Sequence, residues 1–246
     1  MKKFLSLLLS VAIVLSMLCL PAVANDSTAD ITLKQADFAS KSARASAVAK
    51  IQEKITAAKN EADTTHKFVM PVVQLAEDVT VTITADDKDS ALFPMTFTGI
   101  FDGAGHTITV EYSGVTALEL SVNGQGFLFS KIGGYDKTFD GNRVLVTAEV
   151  KDLTIKNAKI LSSGGDGAQH GFIASETTGL VDFTNVHITG ADFNKNGSGN
   201  RNVGGYLGVV KSSVGFINCS FDGTIQDTAG SAMTAGGLHP NQQGSA

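Results

Sequence analysis

One repeat constrains what this 246-residue chain can fold into more than any other feature. Thr107, Asp152, Asn185 and Asn218, taken as a common first position, lie 45, 33 and 33 residues apart. Each is followed 19 residues later by a glycine: Gly126, Gly171, Gly204 and Gly237. The longer first interval exceeds the others by 12, which fits an insertion in the polar stretch Gly133 to Asn142. Periods of this size belong to solenoids, in which each repeat buries its apolar face only against its neighbours.

The columns of the repeat name the secondary structure. The second position holds Ile108, Leu153, Val186 and Cys219, and the fourth holds Val110, Ile155, Ile188 and Phe221. Between them stand Thr109, Thr154, His187 and Ser220. Residues two apart share a face of a strand, so two apolar columns point inward and one polar column points out. Second strands follow the marker glycines at Phe127 to Phe129, Phe172-Ile173, Tyr206-Leu207 and Leu238, and Val181 to Phe183 and Val214 to Ile217 suggest a third. Three short strands per repeat, turned by Gly, Asn and Asp, predict stacked coils with strands paired in parallel. No sustained 3.6-residue period supports a helical solenoid, and 33 residues are too few for the four antiparallel strands of a propeller blade.

The repeat opens at Phe97 to Val110, FTGIFDGAGHTITV. Asp102-Gly103 is a turn dipeptide, and the alternation from Thr107 to Val110 is that of a half-buried strand. Upstream, Val79 to Thr84 alternates strictly, and Phe68-Val69-Met70 and Val72 to Leu75 are apolar runs. Asp86-Asp87-Lys88-Asp89 between these strands is expected to be a solvated turn, because no calcium loop with spaced ligands follows. Residues 25–66 differ in composition: they are rich in Ala, Lys, Glu and Ser and contain no Gly. Val48, Ile51, Ile55, Ala58 and Ala62 fall on one helical face, which predicts a helix from about Lys41 to about Asp63 that serves as a cap or spacer.

The first 24 residues have the three parts of a secretory signal peptide: Lys2-Lys3, an apolar run from Phe4 to Leu20, and Ala22-Val23-Ala24 as a small-x-small cleavage site. Leu18 precedes Cys19 where a lipidation site takes a small residue. The expected organisation is a signal peptide at 1–24, a helical region at 25–66 and a β-helix domain at 67–246. Cleavage takes the net charge from −5 to −7 and leaves Cys219 as the only cysteine, so no internal disulfide is expected. With no run of basic residues, neither nucleic acid nor an anionic membrane is an expected partner, and no membrane insertion is expected after cleavage.

The stretch Phe97 to Ile108 resembles the F-x-G-x-F-D-G-x-G-H-T-I opening of bacterial surface proteins built on a right-handed parallel β-helix. Gly126-Phe-Leu-Phe, Gly171-Phe-Ile-Ala, Gly204-Gly-Tyr-Leu-Gly208 and Gly236-Gly-Leu resemble the short GLUG motif of that group, although the first two lack the closing glycine. The likeness spans residues 68 to 238. It implies a pectate-lyase-like fold without catalysis, in a secreted or wall-associated protein such as an adhesin or a module of a larger surface protein. It implies no catalytic residue.

The residues themselves offer little chemistry. Along the first position of the repeat, Asp152 is followed by Asn185 and Asn218, so that column holds one carboxylate where a glycosidase needs two. Asparagines in equivalent positions predict a hydrogen-bonded ladder at a turn. His106 is read as a turn residue, His187 as part of the outward polar column, and His170, shortly after Asp166, as part of a solvated loop. Cys219 fills an apolar column as a small hydrophobe. Arg143 and Arg201 stand beside no acidic cluster, and no spacing of His or Cys suits zinc. There is no Trp, and Tyr112, Tyr135 and Tyr206 are scattered, so no platform for stacking sugars is visible. Asn196-Gly197-Ser198 matches a glycosylation acceptor only formally.

No catalytic, cofactor-binding or metal residue is therefore assigned, and no cofactor is expected. The expected function is a secreted or cell-surface adhesion or interaction module. Host or cell-wall glycans, or other surface proteins, are its expected partners, met by the loops at Gly133 to Asn142 and Asn194 to Asn202. A carbohydrate-active β-helix enzyme and a purely structural spacer are the alternatives. The coil after Gly237-Leu238 has no evident cap, so its edge is expected to meet further sequence or a partner.

Overall fold

The computed structural model describes residues 28–228 and 233–236. The stretch expected to be a signal peptide, with Cys19, and the marker Gly237 with Leu238, lie outside the described residues. The described chain is mostly β, and apart from one hairpin all its strands pair in parallel with strands of neighbouring repeats. This is the arrangement of a parallel solenoid.

Each inward column is a row of apolar residues from successive coils. Ile31, Val73, Phe101, Val150, Phe183 and Phe216 pair in that order. Val79, Ile108, Ile155, Ile188 and Phe221 form the next row. On another face, Phe93, Phe129, Ala174 and Leu207 pair across the strands Phe93–Phe97, Phe129–Ile132, Ala174–Thr177 and Leu207–Val209. Aromatic rings fill the interior: Phe97 stacks on Phe129 at 4.6 Å, and Phe183 on Phe216 at 5.1 Å.

The asparagine ladder is present. Asp152, Asn185 and Asn218 all have left-handed backbones, with φ of 50°, 53° and 51°. Asn185 Nδ2 donates to Asp152 Oδ1 at 2.8 Å, and Asn218 Nδ2 donates to Asn185 Oδ1 at 2.7 Å. Asn and Asp tolerate this conformation, and their side chains satisfy one another down the stack. The turn bends the strand without ending it, so Val181–Lys195 runs as one strand through bends at Asn185 and Gly190. One turn of the solenoid consequently has more short segments than the three expected: after this bent strand come Arg201–Gly204 and Leu207–Val209.

Two repeat positions differ from the sequence alignment. Thr107 pairs with Thr154, and Ile108 with Ile155, two residues further on than the expected partners Asp152 and Leu153. The cause lies in the corner. Residues 103–106 connect Asp102 to Thr107 where only Asp152 and Leu153 connect Lys151 to Thr154. Gly103 packs so closely that a Cβ there would meet Asp152 O at 2.3 Å. At the other end, Gly204 pairs with Gly236 rather than Gly237. Two residues separate Ile188 from Ala191, but one separates their partners Phe221 and Gly223, so this coil is a residue shorter. The marker glycines are required by close approach: a Cβ on Gly126 would lie 2.4 Å from Ala174 Cα, and one on Gly171 would lie 2.4 Å from Tyr206 O.

The N-terminal region is tied into this core. Strand Ile31–Leu33 pairs in parallel with Val72–Leu75, which the sequence reading did not anticipate. Helix α1, Gln35–Phe38, places the Phe38 ring edge-on to Phe93 at 5.6 Å. Helix α2, Lys41–Thr65, is capped by Ser40, whose side chain accepts from Ala43 N at 3.1 Å. Ala47, Val48, Ile51 and Ile55 join the main core and Ala62 a smaller one, so the expected stripe is buried except at Ala58, which is only partly covered.

The acidic loop is not a simple solvated turn. Asp87 is buried and paired with buried Arg44 of α2, and Asp89 accepts from Ser121 Oγ at 2.8 and 2.7 Å. Two of its three acids therefore hold the helix and a distant loop in place, while Asp86 stays exposed. The insertion near Gly133 to Asn142 is an antiparallel hairpin, Tyr135–Phe139 and Asn142–Val146. Rather than projecting freely, it packs against the end of α2: Tyr135 stacks on Phe68 at 4.2 Å and Lys137 Nζ meets Asp63 at 2.7 Å.

Candidate functional site

A groove of about 610 Å³ lies over the outer face of the four-stranded sheet. Its floor is a row across three coils, Thr96, Lys131 and Glu176, paired in that order. Strand alternation sends these side chains outward while their neighbours Phe97, Ile132 and Thr177 turn inward. Lys211, in the turn after Leu207–Val209, and the loop Asn123 to Gln125 form the sides.

The loop is held from several directions. Asn123 Oδ1 accepts from Gln169 N at 3.1 Å, and Gln125 Oε1 accepts from Ser130 Oγ at 2.7 Å. His170 Nδ1 lies 2.9 Å from Gln125 O. Because that partner is a carbonyl oxygen, Nδ1 carries the proton and donates. Asp89 binds Ser121 at the start of the same loop.

Among the described residues Glu176 is the only acid lining the groove, and it is buried. Lys131 Nζ sits 2.5 Å from its Oε1, and Lys211 Nζ bonds its Oε2. Burial pushes the carboxyl upward, but the two ammonium groups outweigh it and hold Glu176 below the ordinary carboxylate range. The charged groups of the groove are thus two cations and one ionised acid.

A second feature lies on the outer face of another sheet. Glu149 pairs with Asp182 on the neighbouring coil, and Lys151 pairs with Asp102. Burial, then the charges of Asp182, Asp102 and Asp152, raise the Glu149 carboxyl against the opposing pull of Lys151. Asp102 Oδ2 lies 3.4 Å from Lys151 Nζ. This pair lies three residues before the Asp152 column, outside the polar and apolar columns read from the sequence.

The remaining candidates are scattered. His106 Nδ1 lies 3.3 Å from Asp78 Oδ1 in the opening corner. His187 is in the outward column, 2.9 Å from Ser220 Oγ. Cys219 is half-buried against the core. His170 is not in a solvated loop: it is fully buried in the strand Ala168–Gly171 beside Phe193, and burial lowers its pKa to about 4. Asp166 stays in an exposed turn, where it accepts from Asn200 N at 2.7 Å. The expected binding loop at Asn194 to Asn202 is folded around buried Arg201, whose Nε donates to Ser162 Oγ at 2.9 Å. Lys195 is buried as well and meets Asp227 at 3.0 Å.

The groove had one legible signal. The 45-residue offset between Gly126 and Gly171, applied to Lys131, lands on Glu176. Searches against protein-family models, curated proteins and solved structures give no significant match to this chain.

Proposed function

We propose that the chain is a secreted or cell-surface right-handed parallel β-helix that works without catalysis, as an adhesion or interaction module holding a glycan along the groove. The observation that carries this reading is the groove itself: an open channel about three coils long with a polar floor. Its amides and hydroxyls suit sugar hydroxyls, and its single ionised acid is engaged by two lysines rather than paired with a second carboxylate. Binding to a panel of immobilised polysaccharides, compared with Thr96→Trp, tests it. Thr96 is exposed on the groove floor, so the indole should block binding and leave the melting temperature unchanged. Equal binding by the variant would move the function elsewhere.

The Glu149–Asp182 pair favours a second reading, a carbohydrate-active enzyme. Neighbouring strands lie about 4.8 Å apart, close to the carboxylate separation of a retaining glycosidase. A raised Glu149 beside an acid of the next coil has the form of an acid and its partner. Release of reducing sugar or unsaturated uronate from polysaccharides, abolished in Glu149→Gln, would establish this reading and overturn the first.

A further inference from the structure

The groove is lined by several side chains that can donate hydrogen bonds. Asn123 Oδ1 and Gln125 Oε1 are both engaged within the protein, which leaves their NH2 groups as donors for a ligand. Glu176 spends one carboxylate oxygen on each lysine. Each ammonium has three N–H groups, and both lysine side chains remain substantially exposed, at 39% and 56%. Two cations against one acid give this groove a local charge of +1 on a chain whose net charge is −5. The two Nζ atoms bond opposite oxygens of one carboxylate, which gathers both ammonium groups at one acid of the groove.

We propose that the groove selects an acidic glycan, and that an oxyanionic substituent on a sugar, carboxylate or sulfate, docks over the Lys131–Lys211 ammonium pair while ring hydroxyls take the amides of Asn123 and Gln125. This rests on the groove being the glycan site. Glu176 is the internal partner of both ammonium groups, so it competes with an external oxyanion for them.

The test measures binding of the full chain to immobilised hyaluronate (carboxylated), heparin (sulfated) and dextran (uncharged) at low and high salt. The proposal expects an acidic chain to bind at least about tenfold more tightly than dextran, with an advantage that shrinks as salt screens the charges. Hyaluronate binding assigns the carboxylate; heparin carries both groups, so binding to heparin without hyaluronate assigns the sulfate. Glu176→Gln removes the internal competitor and should tighten acidic binding about threefold or more. The triple variant Lys131→Gln/Lys211→Gln/Glu176→Gln leaves no unpaired buried carboxylate, so it should fold, and it should lose the acidic preference. If dextran binds as well as the acidic chains and Thr96→Trp blocks both, the charge proposal falls and the groove reading stands. If no polysaccharide binds, both fall.

Discussion

Asn185 holds a left-handed backbone, φ 53°, and bonds through its side chain to the equivalent residue on each side, Asp152 and Asn218. Alanine removes both bonds, each worth about 0.5–1.5 kcal/mol net, and loses the short polar side chain through which Asn tolerates left-handed geometry. Asn185→Ala should therefore destabilise the chain by about 1–3 kcal/mol from the bonds alone. Asn185→Gly loses the same bonds but takes this φ without a Cβ, so it should cost less. Urea midpoints of the two variants check the order; equal losses would mean the backbone contributes nothing. His170 carries a second prediction at this scale. Its pKa is about 4 when folded, below the ordinary histidine value of 6.5, so the unfolded chain binds the proton more readily. The stability from neutral His170 is fully present above pH 6.5 and is lost as pH falls toward 4. The loss is about 3 kcal/mol at 1.36 kcal/mol per unit. Subtracting the stability profile of His170→Gln from that of the parent should isolate a slope confined to this window.

Helix α2 depends on one buried ion pair, Arg44 with Asp87. Asp87 also accepts from Thr84 N at 2.9 Å, so it fastens the loop as well as the helix. Asp87→Ala strands the guanidinium and should cost about 3–5 kcal/mol. Arg44→Met combined with Asp87→Leu leaves no unpaired charge and should recover most of the loss, measured as a double-mutant cycle in denaturant. The marker glycines act at the same scale, between one strand and the next coil. Gly171→Ala puts a Cβ 2.4 Å from Tyr206 O and 2.7 Å from Leu207 Cα, against backbone that cannot yield without moving a coil. A loss of about 1–3 kcal/mol or more is expected, visible as a lower melting temperature. An unchanged temperature would show that the coils slide apart at no cost.

Across the whole molecule, stability is a sum over neighbouring coils. Ala148, Val150, Leu153, Ile155, Val181, Phe183, Val186 and Ile188 lie between coils and are completely or almost completely buried. Val214, Phe216, Cys219, Phe221 and Ile225, on the described coil beyond them, are only partly covered. Hydrogen exchange should therefore be slowest in Ala148–Lys156 and the first half of Val181–Lys195, and faster in Ser220–Asp227. Uniform protection would mean the solenoid opens as one unit.

Periodicity made most of this architecture legible. The alternation in Val79 to Thr84, the 33-residue spacing of Asp152, Asn185 and Asn218, and the helical stripe from Val48 to Ile55 each report a local backbone state, and local states are written in neighbouring residues. Strand Ile31–Leu33 was not legible, because three residues carry too little period to separate strand from loop. Nor was the corner at Gly103, where two inserted residues shift the pairing of Ile108 while leaving its pattern intact. The groove, the Glu149–Asp182 pair and the buried states of His170, Lys195 and Arg201 depend on which coil lies beside which. The sequence by itself determined a stacked, parallel β architecture, since each repeat must bury its apolar columns against the next. Only the tertiary structure decided which charges share a face, because contact between coils joins residues 28 to 49 apart and each corner resets the offset between partners.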